Sequence, residues 1–356
     1  MSTAVLLSGG VDSSVALRLL RDAGHDDITA FYLKVWLEDE LSFLGSCPWD
    51  EDVGYAREIC ASLGVPLEIV PMQREYWDRV VSYTLAELEA GCTPSPDIFC
   101  NQRIKFGAFL DEVGASFDRV GTGHYARVEE ARVEDGAGAF RLLKGVDPVK
   151  DQTYFLSYLD QRQLARCVFP IGGVRKEEVR ELAARYELPN RDRPDSQGIC
   201  FLGKIRFEEF VEHHLGARPG EIRERETDSR LGEHRGFWFH TIGQRRGLGL
   251  SGGPWYVVGK DLERNIVYVS HARKLDEHRR GDFEIGAPHW IGGPPTGAPL
   301  SVKLRHGERV HGCRLALRDG DGGRVSLDGG DAGIAPGQFA VFYEADACLG
   351  AAPIER

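Results

Sequence analysis

The run Ser8-Gly9-Gly10-Val11-Asp12-Ser13-Ser14 lies between a short apolar segment, 4–7, and a helical pattern carrying Val15, Leu19 and Leu20. A buried strand that ends in two glycines and resumes as a helix is compatible with few folds. Glycine lets the backbone approach an anion, and the N–H groups at a helix start point toward it. Ser13 and Ser14 add hydroxyl donors, and Asp12 is placed to hold Mg2+ bridging phosphate oxygens. Gly-Gly alone reads as a tight strand–helix turn with a Ser/Asp cap. The full run after a strand reads as a phosphate loop. It is not a Walker A loop, because no Gly-Lys-Ser/Thr follows, and it lacks the Gly-x-Gly-x-x-Gly dinucleotide spacing.

The segments around this loop predict strands at 4–7, 28–36, 67–70 and 119–121, alternating with helices at 50–63, 75–90 and 104–113. Such alternation implies an α/β fold with a doubly wound, mostly parallel sheet. Two more helices are predicted at 175–186 and 206–215. From about Gly216 the chain becomes Gly-rich, with short strands at 255–258, 266–269, 300–304, 310–317, 324–327 and 338–343. That pattern predicts small β domains, with a β-barrel at the C-terminus. The expected boundaries are 1–215, 216–282 and 283–356.

The 356 residues, 42% hydrophobic and 28% charged, have an ordinary globular composition. No run of 18 apolar residues suggests a membrane span. The N-terminus shows no leader pattern, so a cytoplasmic protein is expected, with an organelle open if the source is eukaryotic. The net charge of −11 argues at first against a nucleic-acid partner. Residues 1–100 carry 6 Lys/Arg and 17 Asp/Glu, whereas 101–356 carry 38 of each. The acidity therefore belongs to the nucleotide-loop region. An acidic back to that region and a neutral-to-basic channel elsewhere are expected.

Eight cysteines with no Cys-x-x-Cys do not form a disulfide scaffold. Two stand in notable settings. Cys100 closes Thr93-Pro94-Ser95-Pro96-Asp97-Ile98-Phe99-Cys100 near a helix start, where a thiolate is favoured. Arg103 and Lys105 push the same way, and Asp97 is close enough to exchange a proton in the same pocket. Cys200 lies in Asp195-Ser196-Gln197-Gly198-Ile199-Cys200. Residue chemistry alone leaves both open between a special role and a small buried hydrophobe. The latter is expected for Cys60, Cys92, Cys167, Cys313 and Cys348; Cys47 is left unassigned.

The loop 8–14 resembles the PP-loop of the ATP pyrophosphatases. The two cysteine segments resemble those of the tRNA-specific 2-thiouridylases. So do Gly121-Thr122-Gly123-His124-Tyr125, Lys150-Asp151-Gln152-Thr153-Tyr154-Phe155, the segment from His240 to Gly249, Trp255-Tyr256-Val257-Val258, Pro336-Gly337-Gln338 and Cys348-Leu349-Gly350. The resemblance covers nearly the whole length.

It implies a PP-loop fold of the adenine nucleotide alpha hydrolase type and a sulfurtransferase that converts the wobble uridine of tRNAs for Lys, Glu and Gln to 2-thiouridine. ATP adenylates the C2 oxygen, and a cysteine persulfide supplies sulfur. Carried over by motif, Cys100 is the nucleophile, Cys200 the persulfide carrier, and Asp97 the acid/base group; Cys100 and Cys200 form a transient disulfide. Leu6, Leu7, Ser8, Gly9, Gly10, Val11, Asp12, Ser13, Leu33 and Gly123 would bind ATP, with Mg2+ at Asp12. Ser95, Pro96 and Asp97 would meet the target base, flipped out of its stack. His124, Lys150, Asp151, Gln152, Arg305, His306 and Gln338 would meet tRNA elsewhere. The implied partners are tRNA and a protein donor of persulfide sulfur. An iron–sulfur cluster held by two thiolates and a carboxylate is the alternative to a persulfide relay.

The chain departs from the family pattern at several positions. Leu6-Leu7 replaces Gly-Met, Leu33 replaces Met, Val35 replaces Asn, and Ser95 replaces the Asn of Pro-Asn-Pro-Asp. The stretch 38–52, with Cys47, is longer than in many bacterial members and resembles the cyanobacterial and plastid type. Taken alone, Lys150-Asp151-Gln152 reads as surface and His213-His214 as a helix end. Two rival functions fit parts of the sequence. A ligase adenylating a small metabolite would need neither cysteine nor tRNA, and a non-catalytic tRNA binder would not need an intact SGGVDSS.

Overall fold

The computed structural model describes residues 1–35, 49–132, 138–195, 206–318 and 322–355. Cys47, Cys200 and most of the 38–52 stretch lie outside these.

Strand Thr3–Leu6 is wholly buried and sits at the centre of a five-stranded parallel sheet. Ile28–Lys34 and then Leu67–Pro71 lie on one side of it, Arg119–Gly121 and then Cys167–Val168 on the other. The central strand is apolar on both faces because both are covered. Val5 and Leu7 pack with Leu17, Leu20, Ala56 and Ile59, from the helices Val11–Asp22 and Trp49–Leu63. Ala4 and Leu6 face the opposite way, into a larger core with Phe31, Tyr76, Val80, Ile104 and Phe109. The order of strands reverses at Thr3–Leu6. Ligands of such sheets bind at the carboxyl ends of the strands at that reversal.

The stretch predicted as one helix over 75–90 is helical from Gln73 to Glu89, but Trp77–Val81 is wound as a wider π turn. The helix predicted at 104–113 begins earlier, at Pro96, and Cys100–Ala108 is again a π segment. Wide turns leave carbonyls poorly paired, and they often mark functional positions. Here Gln163 Nε2 donates to Gln102 O at 2.9 Å and Phe106 O at 2.7 Å. A side chain 57 residues distant therefore stabilises the irregular winding.

Residues 220–271 form a four-stranded sheet, ordered Trp255–Asp261, Ile266–His271, Gly220–Glu224, Arg230–His234. The last sheet runs from Arg280–Ile285 through Gly323–Asp331, His311–Leu317, Leu300–Lys303 and Phe339–Glu344 to Ala347–Pro353. The bridge Ile285↔Ile354 brings its two ends together around Phe283, Val302, Val325 and Phe342. Several elements of this sheet are absent from the sequence expectations: Arg280–Ile285, Ala347–Pro353 and a hairpin from much earlier in the chain. Ala126–Arg132 and Gly138–Lys144 form a hairpin that continues the sheet, with Ala347 paired to Leu143 and Cys348 to Leu142. Its alternation is weak locally because its partner lies about two hundred residues later in the chain.

Candidate nucleotide and cysteine site

Gly9 turns the chain out of the central strand with φ +73°, a conformation L side chains avoid. A Cβ there would also meet Asp52 O at 2.5 Å. Helix Val11–Asp22 starts at Gly10 with no side-chain cap, so its backbone N–H groups are available to an anion. The sequence reading of Ser13 and Ser14 as outward donors needs correction. Their hydroxyls donate back to Gly10 O at 3.0 and 2.8 Å, which ties the loop closed. Gly123 follows strand Arg119–Gly121 and crosses directly over this turn; a Cβ on it would lie 2.6 Å from Ser13 N. Leu33 is half-buried at the end of strand Ile28–Lys34. Three strand ends therefore converge on one corner.

Asp12 Oδ1 accepts from Tyr125 OH at 2.9 Å and from Lys176 Nζ at 2.7 Å. Lys176 Nζ also lies 2.7 Å from Asp195 Oδ1. Lys150 Nζ meets Asp195 Oδ2 at 2.7 Å, and Arg180 joins the same carboxylate at 2.5 Å. Burial raises the Asp195 pKa, but hydrogen bonds from Lys150 and Lys176 outweigh it and hold the carboxyl well below the usual range. Burial and Asp12 push Tyr125 up, keeping it a neutral donor. Two further side chains grip Gly9 O: Asn190 Nδ2 at 2.8 Å and Arg193 NH1 at 3.1 Å. Sequence reasoning missed Lys176, Arg180, Asn190 and Arg193. The density of arginines between 175 and 193 was the only signal.

Pro96 stiffens the first turn of helix Pro96–Phe99, leaving Ser95 and Asp97 partly exposed and Cys100 buried, at 3% exposure. Arg103, expected to act on the thiol, stacks its guanidinium 3.6 Å over the Phe99 ring and donates to Arg79 O at 2.8 Å. Further along the π segment, Phe106 stands 6.3 Å from the His124 ring. His124 is the residue after Gly123, so the Cys100 helix and the phosphate turn meet at this Gly-His pair. Asp195 is the last described residue before the segment that carries Cys200, which lies outside the described residues.

The other expected tRNA contacts are scattered, and two are internal. His124 is buried, its Nδ1 2.7 Å from Thr122 Oγ1; burial, then the Lys105 charge, hold its pKa well below normal. Asp151, read as surface from sequence, is 2% exposed. It accepts from Lys303 Nζ at 2.9 Å and from Thr153 Oγ1 at 2.8 Å. Gln152 accepts from Tyr125 N. His306 packs its ring 4.5 Å from Phe155. Arg305 and Arg309 both reach the buried carboxylate of Asp331, at 2.9 and 3.0 Å. With Gln338 they line a cleft of about 420 Å³ that adjoins a second of about 700 Å³ between the middle sheet and the barrel. Pro336, on its wall, accepts a hydrogen bond from Thr93 N at 2.8 Å, so the cleft reaches the loop before Cys100.

Four cysteines expected to be small buried hydrophobes are buried: Cys60, Cys167, Cys313 and Cys348. Burial pushes Cys60 up to about 11 and Cys313 and Cys348 up to about 12, so they stay thiols. Cys92 differs in being partly exposed. His213 and His214 do end a helix, Phe207–Leu215. Among the described residues no three His, Cys, Asp or Glu side chains form a metal-binding group. Asp12 fits Mg2+ only as a single carboxylate for an ion carried in on phosphates. The second thiolate of the iron–sulfur alternative, Cys200, lies outside the described residues. No helix among the described residues is long and apolar enough to cross a membrane.

A parallel sheet with an SGGVDSS turn at its reversal point defines the class: a nucleotide-binding α/β enzyme of the PP-loop type. Three family profiles tile the chain: a tRNA methyl transferase HUP domain over 1–204, a tRNA methyl transferase PRC-barrel domain over 208–271, and an aminomethyltransferase beta-barrel domain over 280–354. The tRNA-specific 2-thiouridylase MnmA of Parabacteroides distasonis is 46% identical over 362 residues, covering 99% of each chain. The tRNA-specific 2-thiouridylase MnmA 1 of Bacteroides thetaiotaomicron is 44% identical over the whole of both chains. The chain belongs to the tRNA-specific 2-thiouridylase family. Solved structures overlap less: an NH3-dependent NAD synthetase from Campylobacter jejuni has 18% identity and a TM-score of 0.31, covering 53% of this chain and 65% of its own.

Proposed function

We propose that this enzyme replaces the C2 oxygen of the wobble uridine in tRNAs for Lys, Glu and Gln with sulfur, using ATP. The observation that carries the reading is the meeting of the phosphate turn and the Cys100 helix at Gly123-His124, within a member of the thiouridylase family. ATP bound at the turn 8–14 presents its α-phosphate to the uridine O2. The O2–Pα bond forms, and the bond from Pα to the bridging oxygen breaks, with pyrophosphate leaving on that electron pair. C2 then carries AMP as a leaving group. The terminal sulfur of a Cys200 persulfide reaches C2 directly or after release as sulfide. In either route Cys100 attacks the inner sulfur of Cys200, the Cys100–Cys200 disulfide forms, and AMP departs. An external thiol then reduces the disulfide, and a partner protein reloads Cys200 with persulfide sulfur. Asp97 exchanges the proton at the base, beside Ser95 and Pro96.

The cleft that runs from Arg305, Arg309 and Gln338 to the Thr93 loop supports tRNA as the substrate, because cations on a groove wall suit phosphates. In this reading the buried Asp151, paired with Lys303, and the buried His124, bonded to Thr122, support the walls of the site rather than touch tRNA. The test is nucleoside mass spectrometry of the three unmodified tRNAs after incubation with protein, Mg-ATP, a sulfur source and a thiol reductant. 2-Thiouridine at the wobble position is expected, and its loss in Cys100→Ser and Cys200→Ser. Product formation by both serine variants would overturn the reading and favour a ligase acting on a small metabolite.

A further inference from the structure

A PP-loop has no lysine of its own, yet pyrophosphate is a tetraanionic leaving group. Backbone N–H groups and one magnesium ion leave much of that charge unbalanced. The described structure places one ammonium against the turn, on Lys176, at the start of helix Lys176–Arg185. Its side chain is 14% exposed and its Nζ is 2.7 Å from Asp12 Oδ1, within the turn itself. The cluster around it is charge-rich: Lys150, Lys176 and Arg180 face Asp12 and Asp195, with Asp147 at its base. Lys176 bridges Asp12 and Asp195 at the edge of the turn, where a phosphate can compete with Asp12 for its ammonium. The Lys176 backbone is itself anchored, its N–H donating to Asp147 Oδ2 at 3.0 Å. The ammonium therefore swings from a fixed base.

We propose that Lys176 is the phosphate-binding cation of this enzyme: it rests on Asp12 in the free protein and moves to the β- and γ-phosphate oxygens when ATP binds. This rests on the reading of the turn as an ATP site. In adenylation the Pα–O bond to pyrophosphate breaks, and the electron pair stays with pyrophosphate. Lys176 neutralises charge that grows there in the transition state, while its release frees Asp12 Oδ1 for the magnesium ion carried by the nucleotide. Asp195 keeps Lys150 and Arg180 when the Lys176 ammonium moves, so its carboxylate stays paired.

The test compares nucleotides that differ in the predicted contact. Dissociation constants for ATP and AMP are measured by calorimetry on the full chain, wild type against Lys176→Ala, Lys176→Gln and Lys176→Arg. Lys176→Ala should weaken ATP at least tenfold and leave AMP within about twofold. Pyrophosphate release in the presence of tRNA should fall roughly 10²-fold, the usual loss of one such donor. Lys176→Arg should recover most of the ATP affinity. Should the alanine variant not fold, the near-isosteric Lys176→Gln carries the same comparison. Equal weakening of ATP and AMP, which a general collapse of the turn would produce, overturns the proposal, as does no weakening of either. Failure of the wild type to release pyrophosphate with tRNA would instead defeat the thiolation reading, with the ATP–AMP comparison still judging Lys176.

Discussion

Lys150 and Asp151 are consecutive residues that belong to two different ion systems. Lys150 joins Asp195, Lys176 and Asp12 at the phosphate turn, where the side chains keep 14–38% exposure. Asp151 pairs with Lys303 of the barrel, and both are within 4% of complete burial. The first system keeps access to solvent, which leaves its ion pairs open to exchange. The second is a closed pair, hydrogen-bonded to Thr153 and out of reach of solvent. Neighbouring polar residues thus divide into an accessible cluster and a closed fastener, and surroundings decide which is which.

The largest contrast should come from cutting the fastener. Asp151→Ala leaves Lys303 buried without its anion and should cost about 3–5 kcal/mol. Urea unfolding reads this loss, and the ATP dissociation constant of the folded fraction should stay within twofold. A loss below about 1 kcal/mol would erase the distinction. Asp151→Leu with Lys303→Met should recover most of the stability, because similar-volume apolar pairs replace buried ion pairs well.

Gly123→Ala should come next. Its Cβ would be forced to 2.6 Å from Ser13 N, and overpacking of this kind costs about 1–3 kcal/mol. Here stability and ATP affinity should fall together, since one backbone approach serves both.

Asp195→Asn probes the open system and should cost about 1 kcal/mol or less at neutral pH, as part-exposed pairs do. Its pH dependence is more telling. Because hydrogen bonds from Lys150 and Lys176 hold Asp195 below the ordinary value of 3.8, its stabilisation is complete above about pH 4. It declines as the pH falls toward the folded-state value. The wild type should therefore lose more stability than Asp195→Asn between about pH 4 and 2, measured by urea unfolding at stepped pH. Equal acid losses would show that Asp195 is not held charged by its lysines.

The smallest effect is expected at Leu33→Met, which restores the residue common in the family. A volume-conserving swap on a half-buried apolar wall should change stability by under about 0.5 kcal/mol and leave ATP affinity unchanged.

The parts of the site that were legible in sequence are those built by contiguous residues. A strand, two glycines and a helix start are written in seven letters, and the Cys100 loop announces its prolines, carboxylate and thiol in eight. Lys176, Asn190 and Arg193 were not legible because they reach the turn across 164–184 residues, through a separate helix and loop. The hairpin Ala126–Arg132 with Gly138–Lys144 escaped for the same reason, since its second strand is completed by Ala347–Pro353. The serine hydroxyls misled because short side chains next to a tight turn reach its own carbonyl first.

By itself the sequence determined the nucleotide turn, the alternation that makes a parallel sheet, the β-rich second half and the family. Each is carried by residue type and local spacing, which the chain retains before it folds. Tertiary structure alone decided which charges are spent inside the protein and which stay open to solvent. Burial and pairing distance set the cost of a charge, and neither exists until distant segments pack.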